Sequence, residues 1–311
     1  MTTLPTLPAA AAAAGTVGTA GTEALADVGR DRMPRAAGVG RGGSRPVGML
    51  LSALFVLVLA LFILGPLLWL GIRAFATSWT YPNLVPDGWT LQWWRAVFDD
   101  PNLTHSVALS FEFAFVTIAV SALICLPAAY AFARFDFPGR RVFLIGLFAT
   151  NAFPKMGLFV ALASLFYAFN LMTTFAGVVI VHVLGTVVFM TWIPAAAFAA
   201  VPRSYEEAAR DAGAGRFTVL RTVTLPLALP GILIALILSF LASFDEAQGT
   251  YLVGSPDYVT MPTQMYSLVL NYPPQVAAVF SILLAIPSAV LLLLVRKHVM
   301  GGQLAEGFQI R

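Results

Sequence analysis

Charge is scarce in this chain of 311 residues: Asp, Glu, Lys and Arg together make up 11%, against about 25% in an ordinary soluble domain. With 18 Lys and Arg against 15 Asp and Glu, the net charge of +3 is too small and too scattered for a nucleic-acid-binding surface. Cysteine is almost absent. Cys125, alone and within an apolar run, excludes an internal disulfide framework and a cysteine metal cluster. Three histidines, His105, His182 and His298, are too far apart for a ligand spacing, which argues against a membrane-embedded metalloenzyme. A G-x-x-x-x-G-K-[ST] phosphate loop is also missing, so the chain does not bind ATP in that manner. Apolar residues, in contrast, are plentiful. They reach 59% with a mean hydropathy of +0.84, more than a soluble globule could cover with polar surface, so much of the surface must face lipid.

A bilayer core takes about 20 apolar residues of helix, and six runs qualify, near residues 49–72, 106–133, 142–168, 175–200, 227–247 and 275–295. The expectation is an all-α polytopic membrane protein with six transmembrane helices, spanning residues 49–300. Residues 1–48, rich in Ala, Gly, Thr and Pro, read as a disordered arm, and 301–311 as a tail. The first run is too long for the apolar stretch of a cleaved signal peptide. Basic residues cluster in alternate connections: Arg30, Arg32, Arg35, Arg41 and Arg45 in the arm; Arg134, Arg140 and Arg141 after the second span; Arg203, Arg210, Arg216 and Arg221 after the fourth; Arg296, Lys297 and Arg311 at the end. Because positive loops stay inside, both termini are expected to be cytoplasmic. The opposite side holds Asp87, Asp99, Asp100 and Asp257, with Trp79, Tyr81, Trp89, Trp93 and Trp94 at the level of an interfacial aromatic belt.

The connection 201–226 is too patterned for a simple linker. Pro202 and Ser204 open a short helix with Glu206 and Glu207 near its positive end, Gly213 and Gly215 permit a bend, and Phe217, Leu220 and Val223 form a second amphipathic stretch before Leu225 and Pro226. A solvated connector would also carry charge and one amphipathic helix. Its spacing is more specific: Glu207-Ala208-Ala209, three residues, Gly213, nine residues, Val223, one residue, Leu225-Pro226. This resembles the EAA motif of permease subunits in binding-protein-dependent ABC importers, with Val where Ile is usual. The resemblance covers roughly residues 50–300, including the Ala-Tyr-Ala-Phe-Ala-Arg-Phe-Asp-Phe-Pro-Gly-Arg stretch of 129–140, and does not reach the arm.

The resemblance implies the type I ABC importer permease fold in a bacterial inner membrane. It also implies a partner set: two ATPase subunits that carry ATP and Mg, a second permease subunit in a heterodimer, and an extracytoplasmic solute-binding protein. No cofactor is expected on this chain. Loop 201–226 would be the coupling segment, with Glu207, Ala208, Ala209 and Gly213 docking on the ATPase and Leu225 and Pro226 completing the motif. The outer loops, 73–105 and 248–274, would meet the binding protein. Gly249, Gly254, Pro256, Pro262, Pro273 and Pro274 in the second of these fit a structured scoop or turn better than a strand pair.

Ionisable groups inside spans are functional candidates by default. Glu112 lies about 9 Å below the outer end of the second span and Lys155 about 20 Å above the inner end of the third, at similar depth, which makes them candidate partners. An interhelical ion pair without substrate contact is the plain alternative. Asp245 and Glu246 close the fifth span, which lines the pathway in the family; interfacial residues meeting water are the alternative reading. Asn151 and His182 read as packing residues. The stretch 244–262, with its Asp-Glu pair, Gly-x-Pro and Thr-x-Pro, is similar to spermidine/putrescine permeases, whereas 133–139 is equally at home in maltose-type sugar permeases. The substrate leans to the polyamine class, with a carbohydrate as the alternative. A secondary transporter would show repeated halves and would not need the loop motif. Gly38-Val-Gly-Arg-Gly-Gly43 and Gly301-Gly302-Gln303 are accidents of composition, and Asn102-Leu-Thr104 is a glycosylation acceptor only in a secretory-pathway host.

Overall fold

The computed structural model describes residues 45–80, 82–149 and 153–300. Residues 1–44 of the expected disordered arm, the tail 301–311, Tyr81 and Asn151 lie outside the described residues. Clustering divides the chain into two units between Ala60 and Leu61, inside the first helix, α1 (Arg45–Phe75). The first unit contributes the apolar start of α1, and the second contains everything from Leu61 onward.

Most of the apolar runs are helical, because a backbone in hydrocarbon must satisfy its own N–H and C=O groups. Within the second unit, α2 (Gln92–Asp99) leads into α3 (Pro101–Arg134), whose first turn is capped by Asp100: its Oδ1 accepts from the Asn102 and Leu103 amides at 2.9 and 3.4 Å. Pro101 at the first helical position has no amide to leave unsatisfied there. α6 (Phe175–Ala200) coincides with the fourth expected span. α12 (Pro274–Met300) contains the sixth.

The third expected span, 142–168, is corrected. It is two helices, α4 (Arg140–Ala149) and α5 (Lys155–Ala168). Pro154 stands immediately before α5, lacks an amide proton and drives the preceding residue out of helical geometry. Five helices among the described residues are long and apolar enough to cross a membrane, with α4 and α5 in place of a sixth single span. The fifth expected span, 227–247, is also displaced. α8 (Arg216–Val219), a π-helical turn (Leu220–Thr224) and α9 (Leu225–Phe244) run on as one helix from Arg216 to Phe244. The π turn has a local cause: Pro226 has no N–H for the carbonyl four residues back, and the helix widens there, with the Leu225 amide bonding the Leu220 carbonyl.

Between α6 and α8 sits α7 (Arg203–Asp211), and the segment 248–274 folds as two short helices, α10 (Gln248–Gly254) and α11 (Met261–Asn271), in line with the expectation of a structured turn. Helix α6 is central: it packs along α3 and α9, and α3 and α9 also meet. α10 rests on α5 and α6, while α11 and α12 close over α2, α3 and α9. Close approach depends on small residues. A Cβ at Gly231 of α9 would fall 2.5 Å from the Ala197 Cβ of α6, and one at Gly249 of α10 would fall 2.2 Å from a Val181 methyl.

Polar groups pin the same helices. Ser121 and Thr186 hydroxyls meet at 2.7 Å between α3 and α6, and the Ser110 hydroxyl accepts from the Met261 amide at 2.7 Å, joining α3 to α11. Among the described residues extended pairing is confined to one bridge, Ala76 with Trp89, which closes the loop after α1. There Trp93 donates to the Ala76 carbonyl at 2.8 Å and Trp79 to the Asn83 carbonyl at 3.0 Å.

Replacing Gly231 with valine should destabilise the α6–α9 contact by roughly 1–3 kcal/mol through overpacking, read as a lower apparent Tm of the detergent-purified chain. Gly185→Ala, where the added Cβ meets nothing within 4 Å, is the control. Equal Tm values for the two variants would show that α6 and α9 can separate freely.

Candidate functional site

Helix α7 begins directly after the end of α6, at Pro202, whose φ of −62° suits the position before a helix. No side chain caps this end, and Ser204 lies inside the first turn rather than at the cap. The far end follows from Gly213. Its φ is +89°, its amide bonds the Arg210 carbonyl at 2.8 Å, and the Ala214 amide reaches back to the Ala209 carbonyl at 3.0 Å. These two bonds form a Schellman ending, which requires a left-handed residue where glycine alone carries no Cβ penalty. Gly215, in contrast, has an ordinary φ of −67°. Of the two expected bend glycines, Gly213 makes the turn.

The two glutamates of α7 point to different environments. Glu207 and Ala208 are exposed and Ala209 half-buried, whereas Glu206 is buried. Its Oε1 sits 2.7 Å from Arg134 Nη2 at the end of α3 and accepts from the Thr224 hydroxyl of the π turn at 2.7 Å. The guanidinium also donates to the Val201 carbonyl at 3.0 Å, and Arg210 approaches the other carboxylate oxygen at 3.5 Å. Both partners of the Arg134–Glu206 pair are nearly sealed, with side-chain exposures of 7% and 5%. Removing one partner of such a pair leaves an uncompensated buried charge, at a cost of about 3–5 kcal/mol. The spacing of residues 201–226 did not reveal this cluster. Arg134 had read as a topology signal and Glu206 as a helix former, and their meeting depends on how α3 lies against the α6–α7 corner.

Leu225 and Pro226 are exposed at the start of α9, and Val223 is half-buried in the π turn. Together with Arg203, Arg210, Arg216 and Arg221 they form one end of the bundle, and Arg134 brings the end of α3 to the same end.

At the other end the candidate pathway residues separate. Glu112 is exposed on α3, on a stripe with His105, Ala108, Phe115, Ala119 and Leu123. Beside it, Phe111, Phe115, Phe240 and Phe244 form a chain of ring contacts between α3 and α9, with centroids 5.1 to 6.4 Å apart. Asp245 is exposed just past α9 and feels the Lys155 ammonium. Lys155 is exposed at the start of α5, and a Glu112–Lys155 pair does not occur among the ion pairs of the described residues. The physical reason is the break at Pro154: depth counted along one continuous third span does not apply to a residue that starts a new helix. Glu246 is turned inward, and its Oε1 accepts from the Gly249 amide at 2.9 Å, holding the first turn of α10.

His182 occupies a buried position, with Nδ1 2.8 Å from the Ser243 hydroxyl, Nε2 2.7 Å from the Thr250 hydroxyl and its ring stacked on Phe113. It joins α6 to α9 and α10, which agrees with a packing role. At this end Tyr272 donates to Asp100 Oδ2 at 3.2 Å; burial and the adjacent carboxylate push its phenol above the usual range. Among the described residues no three His, Cys, Asp or Glu converge on a metal-sized site.

Comparison with known proteins accounts for this arrangement. Residues 124–299, more than half of the chain, match the family model "Binding-protein-dependent transport system inner membrane component". The maltodextrin transport system permease protein MdxG of Bacillus subtilis is 26% identical over 85% of this chain and 97% of its own length. The spermidine/putrescine transport system permease protein PotC of Escherichia coli K12 is 27% identical over 77% and 90%. The fold is shared with a chain in the crystal structure of a bacterial ABC transporter involved in the import of the acidic polysaccharide alginate, with a TM-score of 0.64 at 20% identity over 82% and 98% of the two chains. The all-helical membrane bundle and the family match together make this chain a member of the binding-protein-dependent transport system inner membrane component family, the permease subunit of an ABC importer.

Proposed function

We propose that this subunit passes a small polar organic solute across a bacterial inner membrane, driven by ATP hydrolysed on a partner. Helix α7 with its Gly213 turn is where the ATPase docks. The observation that carries this reading is the two-sidedness of α7. Glu206 fastens one face to the permease, while Glu207 and Ala208 are left facing outward, a charged group beside a small side chain that allows close approach. Two ATPase subunits holding ATP and Mg, a second permease in a heterodimer, and a binding protein that meets segments 73–105 and 248–274 complete the assembly. The basic end formed by α7, α8 and the close of α3 supports a cytoplasmic location for the coupling segment and for both termini.

For the solute we take the polyamine class as the first reading. Glu112 and Asp245 are exposed acids in or next to apolar helices, and such groups face a polar cavity rather than lipid. Lys155 tempers the charge at Asp245. The aromatic row of Phe111, Phe115, Phe240 and Phe244, with a maltodextrin permease among the relatives, favours a carbohydrate as the second reading.

Gly213→Leu should leave membrane insertion intact while abolishing uptake and weakening co-purification of the ATPase. Because nothing lies within 4 Å of the added Cβ, the strain comes from the positive φ, and even Gly213→Ala should lose about 1–2 kcal/mol at this turn. Gly213→Asn, which tolerates that geometry, should lose less. Normal uptake and normal ATPase association in Gly213→Leu would sink the docking assignment. For the solute, Glu112→Gln combined with Asp245→Asn should cut uptake of a polyamine about tenfold or more and leave sugar uptake unchanged. Ligand binding to the purified binding protein identifies which solute to test, and unchanged transport in the double variant would remove both carboxylates from the pathway.

A further inference from the structure

Of the three ion pairs among the described residues, Arg134–Glu206 is the one with both side chains buried, and neither residue belongs to the motif that marks the docking segment. One guanidinium group holds two features of the α6–α7 corner, the Val201 carbonyl at its start and the Glu206 carboxylate in the first turn of α7. Thr224 adds a third hold on the same carboxylate oxygen from the π turn. The planar, charged guanidinium suits such a joint, since it fixes direction as well as distance.

The covalent route from α7 toward α9 is softer. It passes through the Gly213 and Gly215 turn, where an added Cβ at either glycine would meet nothing within 4 Å, and then through the π turn, a place where helix geometry readily adjusts. The route to α3, in contrast, is direct: a 2.7 Å contact between buried, opposite charges ends on the last residue of a 34-residue helix.

We propose that Arg134 and Glu206 are positioning residues that make α7 and the inner end of α3 move as one body, so that displacement of α7 is delivered to the bundle through α3 as well as along α9. Helix α3 carries Glu112, Phe111 and Phe115 toward its other end, so the tie connects the docking segment to a helix that presents candidate solute-facing groups. This inference rests on the reading of α7 as the docking helix.

The test uses the complete importer, with both permeases, both ATPases and the binding protein, in lipid nanodiscs. Cys125→Ala leaves this chain free of cysteine, and spin labels at Asp136→Cys and Asp211→Cys, both exposed, report the distance from the end of α3 to α7. The expected result is one narrow distance that is the same without nucleotide and with ATP. Glu206→Gln should broaden it and lower the solute moved per ATP hydrolysed about tenfold, within the usual range of coupling between sites. Thr224→Val, a milder change, should broaden it without loss of folded protein. The exchange Arg134→Glu with Glu206→Arg should narrow it again. A distance that stays narrow in both single variants, or that changes between nucleotide states in the parent, overturns the tie. Failure of the docking reading appears elsewhere, as normal ATPase association in Gly213→Leu, and leaves the label distance in the nucleotide-free state a valid measure of the tie.

Discussion

A polar group without a partner in hydrocarbon costs several kcal/mol, and the described bundle is arranged around that constraint. Backbone groups are satisfied by running as helix. Several buried side-chain hydroxyls then act as pins between helices: Ser121 with Thr186, Ser110 with the Met261 amide, and His182 between Ser243 and Thr250. Each pin joins helices distant in sequence, and the His182–Thr250 pin lies beside the close approach of Gly249 to Val181. Packing alone would not distinguish one rotation of an apolar helix from another, because lipid tails are as apolar as leucine. Hydroxyl pins, which are directional, do distinguish them.

The same rule separates neighbouring residues of one chemistry. Glu206 and Glu207 are consecutive on a helix, about 100° apart around its axis. One is buried against Arg134 and the other exposed. Asp245 and Glu246 divide in the same way past the end of α9, the first exposed near Lys155 and the second holding the Gly249 amide. In both pairs the buried member stabilises local geometry and the exposed member is free to meet something else. A carboxylate's role here is therefore decided by which side of an element it leaves.

Much of the architecture was legible because the dominant signal is local. A run of apolar residues long enough to cross a bilayer and without a helix-breaking interruption reads as one helix, and α6 matches its expected span from end to end. Gly213 was legible for the same reason, as a helix ending needs a left-handed residue and glycine accepts it. The third span was misjudged because hydropathy averages over Pro154, which interrupts helix geometry without making the segment less apolar. The fifth began earlier than expected, since a π turn absorbs Pro226 and lets the amphipathic stretch continue into the span. Asn151 lies outside the described residues.

The sequence by itself determined the helical class, the basic and acidic ends, and the spacing that resembles the EAA motif, because each depends on residue types within one turn or one span. Only the tertiary structure decided which charges meet. Arg134 finds Glu206, and Lys155 forms no ion pair with Glu112, because helix rotation and the break at Pro154 set those encounters. Periodicity says which face of a helix is apolar, but where a lone charge points relative to another helix is settled by packing among segments far apart in the chain.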